Sequence, residues 1–377
     1  MRISPTLAEM ATYPFVRLEE ERRRLEADGV PVIDFGKGDP NEPTDPRIRQ
    51  ALVGNLTERS SYPLAQGLPE LRAAVARWCS RRFGVTLDPD TEVVPTLGSK
   101  EAIFSLAQVL VDQRSEKRLV LYTEPGYPVY ERGALFAGAE PLALPLRAEN
   151  DFLPDLDAVD DDTWRRTAIL WMNYPNNPTG ATAPLELYER LAELAARWDF
   201  ALASDEAYSE LWFDEPPVSA LQAPDRSQVV VFQTLSKRSS MTGYRSGFVA
   251  AAPDVIAALK AFRPTVGTAP QEFVQRASIV AWDDEEHVAR ARQTYRRKRE
   301  ILAAALARRG YSVAASRAGM YLWVEMAEEV VPRLLEHGIV ASPGTFFGPS
   351  GAGYVRFALV PTEEECRRAA EILEEVL

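Results

Sequence analysis

The stretch Thr234-Leu-Ser-Lys-Arg-Ser-Ser-Met-Thr-Gly-Tyr-Arg-Ser-Gly247 follows an apolar run at residues 229–232 and gathers hydroxyls, cations and two glycines in one short segment. A run of strand length that ends in such a segment reads as a buried strand handing polar groups to its carboxyl end. That is where open α/β sheets bind ligands. The chain has only six lysines, at positions 37, 100, 117, 237, 260 and 298, so its positive charge is otherwise arginine. A lysine placed at 237 is therefore read as wanted for its amine rather than for its charge.

Working outward, residues 119–122, 168–173, 200–204 and 247–251 are further short apolar runs bounded by turn signals, and helical segments such as Leu185–Trp198 lie between several of them. This β-α alternation predicts an α/β fold around a mostly parallel sheet. Residues 68–83 read as a helix with Pro69 in its first turn and Cys79 packed in the core. The first 30 residues read as an amphipathic helix with Phe15, Val16, Leu18 and Leu25 on one side, followed by a Gly-Lys-Gly-Asp-Pro loop at 36–40. Toward the carboxyl end come a long charged helix at 290–309, strands at 321–325 and 355–359, and a closing helix at 362–376. These place a large domain at 46–279 and a smaller α+β domain built from both termini, residues 1–45 and 280–377.

Composition removes several classes of function. The chain has 377 residues, 46% of them hydrophobic, and a formal charge of -12. That length can bury a sizeable core, and that charge opposes a nucleic-acid surface, which needs clustered Lys and Arg. Cys79 and Cys366 are too few for a disulfide framework, and with only His287 and His337 a multi-histidine metal site is excluded and a Ser-His-Asp triad is not expected. No metal is expected. No apolar run approaches membrane-spanning length and no signal peptide is evident, so the expectation is a cytoplasmic protein without a membrane partner.

The residues that follow the strands share one chemistry. Asn176-Asn-Pro-Thr-Gly180 follows one run, Asp205 and Tyr208 another, and Thr234, Ser236 and Lys237 a third. Singly, each has an ordinary reading as a turn, a helix cap or a surface dipeptide, and Ser99 of Gly98-Ser-Lys-Glu101 could be a plain helix N-cap. Together they suit one ligand, pyridoxal 5'-phosphate. A lysine amine of lowered pKa forms a Schiff base with an aldehyde. A phosphate takes hydroxyls, a guanidinium and helix N-terminal amides, available from Thr234, Ser236, Arg245 and the Gly98-Ser99-Lys100 turn. Asp205 suits the ring nitrogen, Tyr208 and Asn177 the ring oxygen, and Tyr127 the flat face.

Asn177-Pro-Thr-Gly180, Asp205-x-x-Tyr208, Ser236-Lys237 and Arg245 resemble the fingerprint of the class I/II aminotransferases, the fold type I pyridoxal phosphate enzymes, over essentially the whole chain. The resemblance implies that Lys237 carries the cofactor, that Asp205 and Tyr208 act with it in catalysis, and that Asn177, Gly98, Ser99, Lys100, Thr234, Ser236, Arg245 and Tyr127 bind the cofactor. It further implies a homodimer with shared sites, in which Tyr62 reaches the neighbouring subunit's phosphate, and a substrate α-carboxylate gripped by Arg356 with Gly38 and Asn177 nearby. The substrates would be an amino acid and a 2-oxo acid, 2-oxoglutarate being the expected acceptor. Further segments, among them Ala318-Gly-Met-Tyr-Leu-Trp-Val324 and Pro343-Gly-Thr-Phe-Phe347, are similar to the succinyldiaminopimelate aminotransferases of lysine biosynthesis. Leu97 and Ser240-Met-Thr242 depart from that subgroup's pattern. The alternatives are an aspartate, aromatic or broad α-amino acid aminotransferase, and a carbon–sulfur lyase on the same fold. A cofactor-binding regulator would need a basic module for which the chain has neither length nor charge.

Overall fold

Seven strands make the central sheet: β1 Val93–Thr96, β2 Leu119–Glu124, β3 Glu140–Pro145, β4 Thr167–Asn173, β5 Ala201–Asp205, β6 Val229–Thr234 and β7 Gly247–Ala251. They lie in the order β1-β7-β6-β5-β4-β2-β3 in a computed structural model that describes residues 1–9, 14–59 and 61–377. The apolar runs are continuous because both faces of the sheet are covered. Along β6, Val229 and Val231 enter one core while Val230 and Phe232 enter the other, the two-residue alternation of a pleated strand.

All pairings are parallel except those of β7, which runs antiparallel to both β1 and β6. Gly247, the first residue of β7, therefore stands opposite Thr234, the last of β6, and Thr96, the last of β1. The reversal brings the residues just before β7 to the edge where the other strands end. Around the sheet pack α1 Pro69–Phe83, α2 Ser99–Leu110, α3 Leu185–Trp198, α4 Leu235–Arg238 and α5 Glu272–Asp283.

A second core joins Ile33 and Phe35 near the start of the chain to Leu302, Tyr321, Phe357 and Leu373 near its end, with Tyr208 and Leu211 from the loop after β5. Its elements are α6 Glu286–Arg308, strands β8 Tyr321–Glu325 and β9 Tyr354–Ala358 paired antiparallel, and α7 Glu363–Val376. The helix α6 begins four residues earlier than the charge pattern suggested, at Glu286 rather than 290. Near the amino end, two helices occupy Pro5–Glu9 and Pro14–Ala27 where one was expected. Leu25 is partly buried, and the side chains of Phe15, Val16 and Leu18 lie outside the described residues. Cys79 is fully buried on α1, as its apolar setting predicted. No described helix is long and apolar enough to cross a membrane.

Candidate active site

At the carboxyl edge of the sheet, where the second core closes over it, lies a cavity of about 710 Å³. Lys237, Asp205, Tyr208, Asn177, Ser99, Lys100, Tyr127, Thr234, Ser236, Arg245, Gly38 and Arg356 all line it. Two expected residues do not. Gly98 stands just behind the wall as the N-cap of α2, which makes Ser99 the first residue of that helix rather than its cap. Tyr62 is fully exposed and lies outside this cavity's lining.

The chemistry centres on a half-buried amine and a buried carboxylate. Lys237 sits in the single-turn helix α4, and its amine donates to the Gly38 carbonyl. Burial lowers its pKa to about 8; the carboxylate of Asp39 opposes that change, while Arg356 and Arg245 add to it. An amine held there is half deprotonated near pH 8 and keeps a usable neutral fraction closer to neutrality than an ordinary lysine, as a nucleophile or proton carrier requires. Asp205, the last residue of β5, is pushed the other way, to about 6, because burial disfavours its charge. Tyr130 offsets part of that cost by donating to its Oδ2 at 2.8 Å, and the Ala207 amide donates to Oδ1 at 3.2 Å.

Opposite Asp205 is a wall made almost wholly of donors. Ser99 and Lys100 open the twelve-residue helix α2, and the Thr234 hydroxyl donates to the Ser236 Oγ at 3.0 Å. Arg245 holds a left-handed backbone (φ 56°) and donates to the Leu97 carbonyl at 3.0 Å and the Thr242 carbonyl at 2.9 Å. Burial and the neighbouring Arg245 and Arg132 charges lower the pKa of Lys100. The packing behind this wall leaves no slack: a Cβ on Gly98 would fall 2.6 Å from Arg245 Nη2. Helix amides, two hydroxyls and a fixed guanidinium suit a phosphate dianion. With an amine in the middle and a carboxylate at the far end, the cavity fits pyridoxal phosphate at both of its poles and at its aldehyde. Tyr127 is 5.8 Å from the Lys100 amine, ring centroid to Nζ.

Arg356 enters from β9 and is 2% exposed. It donates to Asn177 Oδ1 at 2.9 Å and to the Gly36 carbonyl at 2.6 Å, and it lies 4.4 Å and 4.5 Å over the rings of Tyr321 and Phe347. The Gly36–Gly38 segment thus touches both cations by backbone carbonyls: Gly36 meets Arg356 and Gly38 meets Lys237. Tyr208 shares a 2.7 Å hydrogen bond with Tyr321, and burial raises both phenols' pKa.

Three contributors were not expected from sequence. Tyr130 supports Asp205; Tyr321 supports Tyr208; and Asn173 ties the site's loops together by donating to the Asp205 carbonyl at 2.8 Å and accepting the Asn177 amide at 2.9 Å. No local signal marks them: Tyr130, for example, is the second residue of the helix Val129–Phe136. Lys37 lines the cavity, whereas Arg238 is buried against Glu285 and Arg263 against Glu101, both away from it. Among the described residues no cluster of His, Cys, Asp and Glu could hold a metal ion.

A mostly parallel seven-stranded sheet with a lysine, an aspartate and an arginine converging at its carboxyl edge is the arrangement of the fold type I pyridoxal phosphate enzymes, the aminotransferases among them. The chain belongs to the family described as aminotransferase class I and II, whose model matches residues 30–373. It is 40% identical to the LL-diaminopimelate aminotransferase of Aquifex aeolicus (strain VF5), over 98% of this chain and 97% of that one. Among solved structures it superimposes on the Thermus thermophilus aspartate aminotransferase with maleate at a TM-score of 0.91, with 30% identity and full coverage of both chains. A probable N-succinyldiaminopimelate aminotransferase, also from Thermus thermophilus, matches at 0.89, with 33% identity, covering 96% of this chain and 100% of that one.

Proposed function

We propose that the protein transaminates LL-diaminopimelate, with 2-oxoglutarate as the acceptor, and that Lys237 carries the proton at the reacting carbon. The observation that carries the reading is a half-buried amine, its pKa lowered to about 8, in the same cavity as Asp205 and Arg356. Lys237 would hold the cofactor covalently; Ser99, Lys100, Thr234, Ser236 and Arg245 its phosphate; Asp205 its ring nitrogen; Tyr208 and Asn177 its ring oxygen; and Tyr127 its face. When bound, the cofactor supplies an electron sink for the pair left at the substrate Cα. Arg356 grips the α-carboxylate and fixes the substrate's rotation. Once the substrate's amine has taken its place on the cofactor, the released Lys237 amine would take the Cα proton and return it on the cofactor side of the transferred nitrogen, the general acid–base work for which an amine titrating near 8 is suited.

The donor follows from which charges of the cavity remain. With Lys100, Arg245, Lys237, Arg356 and Asp205 assigned, Asp39 and Lys37 are left, the latter also paired with Glu19. One cation and one anion suit a distal end that bears both an ammonium and a carboxylate, as LL-diaminopimelate does. N-succinyldiaminopimelate, the donor favoured by the sequence resemblance, presents only carboxylates there and is the competing substrate. We also read the protein as a homodimer. Tyr62 is fully exposed beside Leu56 and Leu64, 56% and 66% exposed, which suits a face covered by a second copy. Residues 1–45 and 280–377 would form the smaller lobe of each copy.

Replacing Lys237 by Ala is expected to abolish steady turnover and to leave no borohydride-reducible bond between protein and cofactor. Normal turnover in that variant would overturn the assignment. Initial rates with LL-diaminopimelate, its N-succinyl derivative, aspartate and phenylalanine, each against 2-oxoglutarate, rank the donors.

A further inference from the structure

The turn that bears Lys237 separates two cavities. Ser236, Lys237, Thr242 and Gly243 face the active-site cavity, while Arg238, Ser239 and Ser240 face a second one of about 280 Å³ on the other side. The helix α4 is only four residues long, too short to hold its own shape, because helix nucleation fixes several dihedrals for a single hydrogen bond. Its orientation must be set by contacts outside it. At its start the Thr234 hydroxyl accepts the Ser236 amide at 3.1 Å. At its end both anchors lead to one place, the corner between α5 and α6. Arg238 lies 5.7 Å and 5.2 Å over Trp78 and Trp282 and donates to Glu285 at 2.7 Å. Ser239, whose amide closes the turn on the Leu235 carbonyl at 3.0 Å, meets His287 Nε2 at 2.8 Å.

We propose that His287 is a positioning residue for Lys237, acting through Ser239. The imidazole is engaged at both nitrogens: Nδ1 lies 2.5 Å from Asp284 Oδ2, and that carboxylate also accepts from Arg47 at 2.9 Å. A carboxylate partner fixes the proton on Nδ1, which makes Nε2 an acceptor and turns the Ser239 hydroxyl toward it. The chain Asp284–His287–Ser239 therefore ties the last residue of the lysine's turn to the first turn of α6, across 48 residues of sequence. A helix-capping role for His287 would need only the Asp284 contact; the contact to Ser239 serves the lysine.

The inference rests on Lys237 being the cofactor lysine, which loss of the wild type's reducible link in Lys237→Ala tests separately. Asn at 287 reproduces the Nδ1 position and keeps Asp284, whereas Gln reproduces Nε2 and keeps Ser239. His287→Asn and Ser239→Ala are each expected to slow kcat and the rate at which apoprotein captures pyridoxal phosphate by roughly tenfold, the scale on which a small misplacement of a reacting group acts. KM for the amino donor should change little, and the double variant should be no slower than the slower single. His287→Gln should stay within about threefold of wild type. If Asn and Gln behave alike, or if Ser239→Ala captures the cofactor at the wild-type rate, His287 serves α6 alone and the proposal fails.

Discussion

Tyr130 moderates how far burial raises the pKa of Asp205. Its phenol is 1% exposed, stacked on Trp171 at 4.9 Å with an 18° tilt, and donates into a carboxylate that burial has pushed to about 6. Because that bond favours the charged form, its loss raises the carboxylate's pKa further. In Tyr130→Phe the acidic limb of the kcat/KM profile should move to higher pH by roughly one unit, since a hydrogen bond to a charged group contributes about 1.5–3 kcal/mol. An unmoved limb would show that Asp205 does not govern it. Most of the residues that line the cavity were legible in the sequence, because several strands end in polar groups that together suit one ligand. The groups that act on those groups were not: Tyr130, Tyr321 and Asn173 sit in apolar or turn-like contexts, and only the fold shows whom they face.

At the scale of elements, the inner strands were readable and the edge strands were not. β4, β5 and β6 each carry an apolar run, Ala168–Met172, Ala201–Ala203 and Val229–Phe232, whereas β1 reads Val-Val-Pro-Thr and β3 begins Glu-Pro and ends in proline. Proline cannot donate to a ladder, so it weakens a strand's signature in the places where it is tolerated, the sheet edges that β1 and β3 occupy. The reversed direction of β7 also has no mark in composition. It nevertheless explains why Arg245 precedes its strand while Lys237 and Asp205 follow or end theirs. The turn between β1 and α2 depends on Gly98, whose φ of 71° and ψ of 178° belong to a region open essentially only to glycine. Gly98→Ala should displace Arg245 and weaken cofactor retention by tenfold or more, given about 1–3 kcal/mol of backbone strain. Reconstitution of the apoprotein with pyridoxal phosphate measures it, and an unchanged affinity would remove Arg245 from the phosphate's partners.

The whole molecule has a charge of -12, yet its cavity gathers Lys37, Lys100, Lys237, Arg245 and Arg356 against Asp39 and Asp205. A cationic cleft in an anionic protein focuses its field inward and draws acids past a surface that repels them. Screening acts over a Debye length of about 8 Å at physiological salt. Raising ionic strength should therefore lower kcat/KM for a dicarboxylic donor more steeply than for alanine, and parallel slopes would show that the cavity's charge acts only on contact.

Arg356 rests on the carbonyl of Gly36, 320 residues earlier, while the lysine, the aspartate and the donor wall all fall between positions 98 and 245. Chains fold as they leave the ribosome, their early domains first. The residues proposed to hold the cofactor therefore emerge well before Arg356, and the arginine proposed to grip the substrate can join their cavity only when nearly the whole chain has been made.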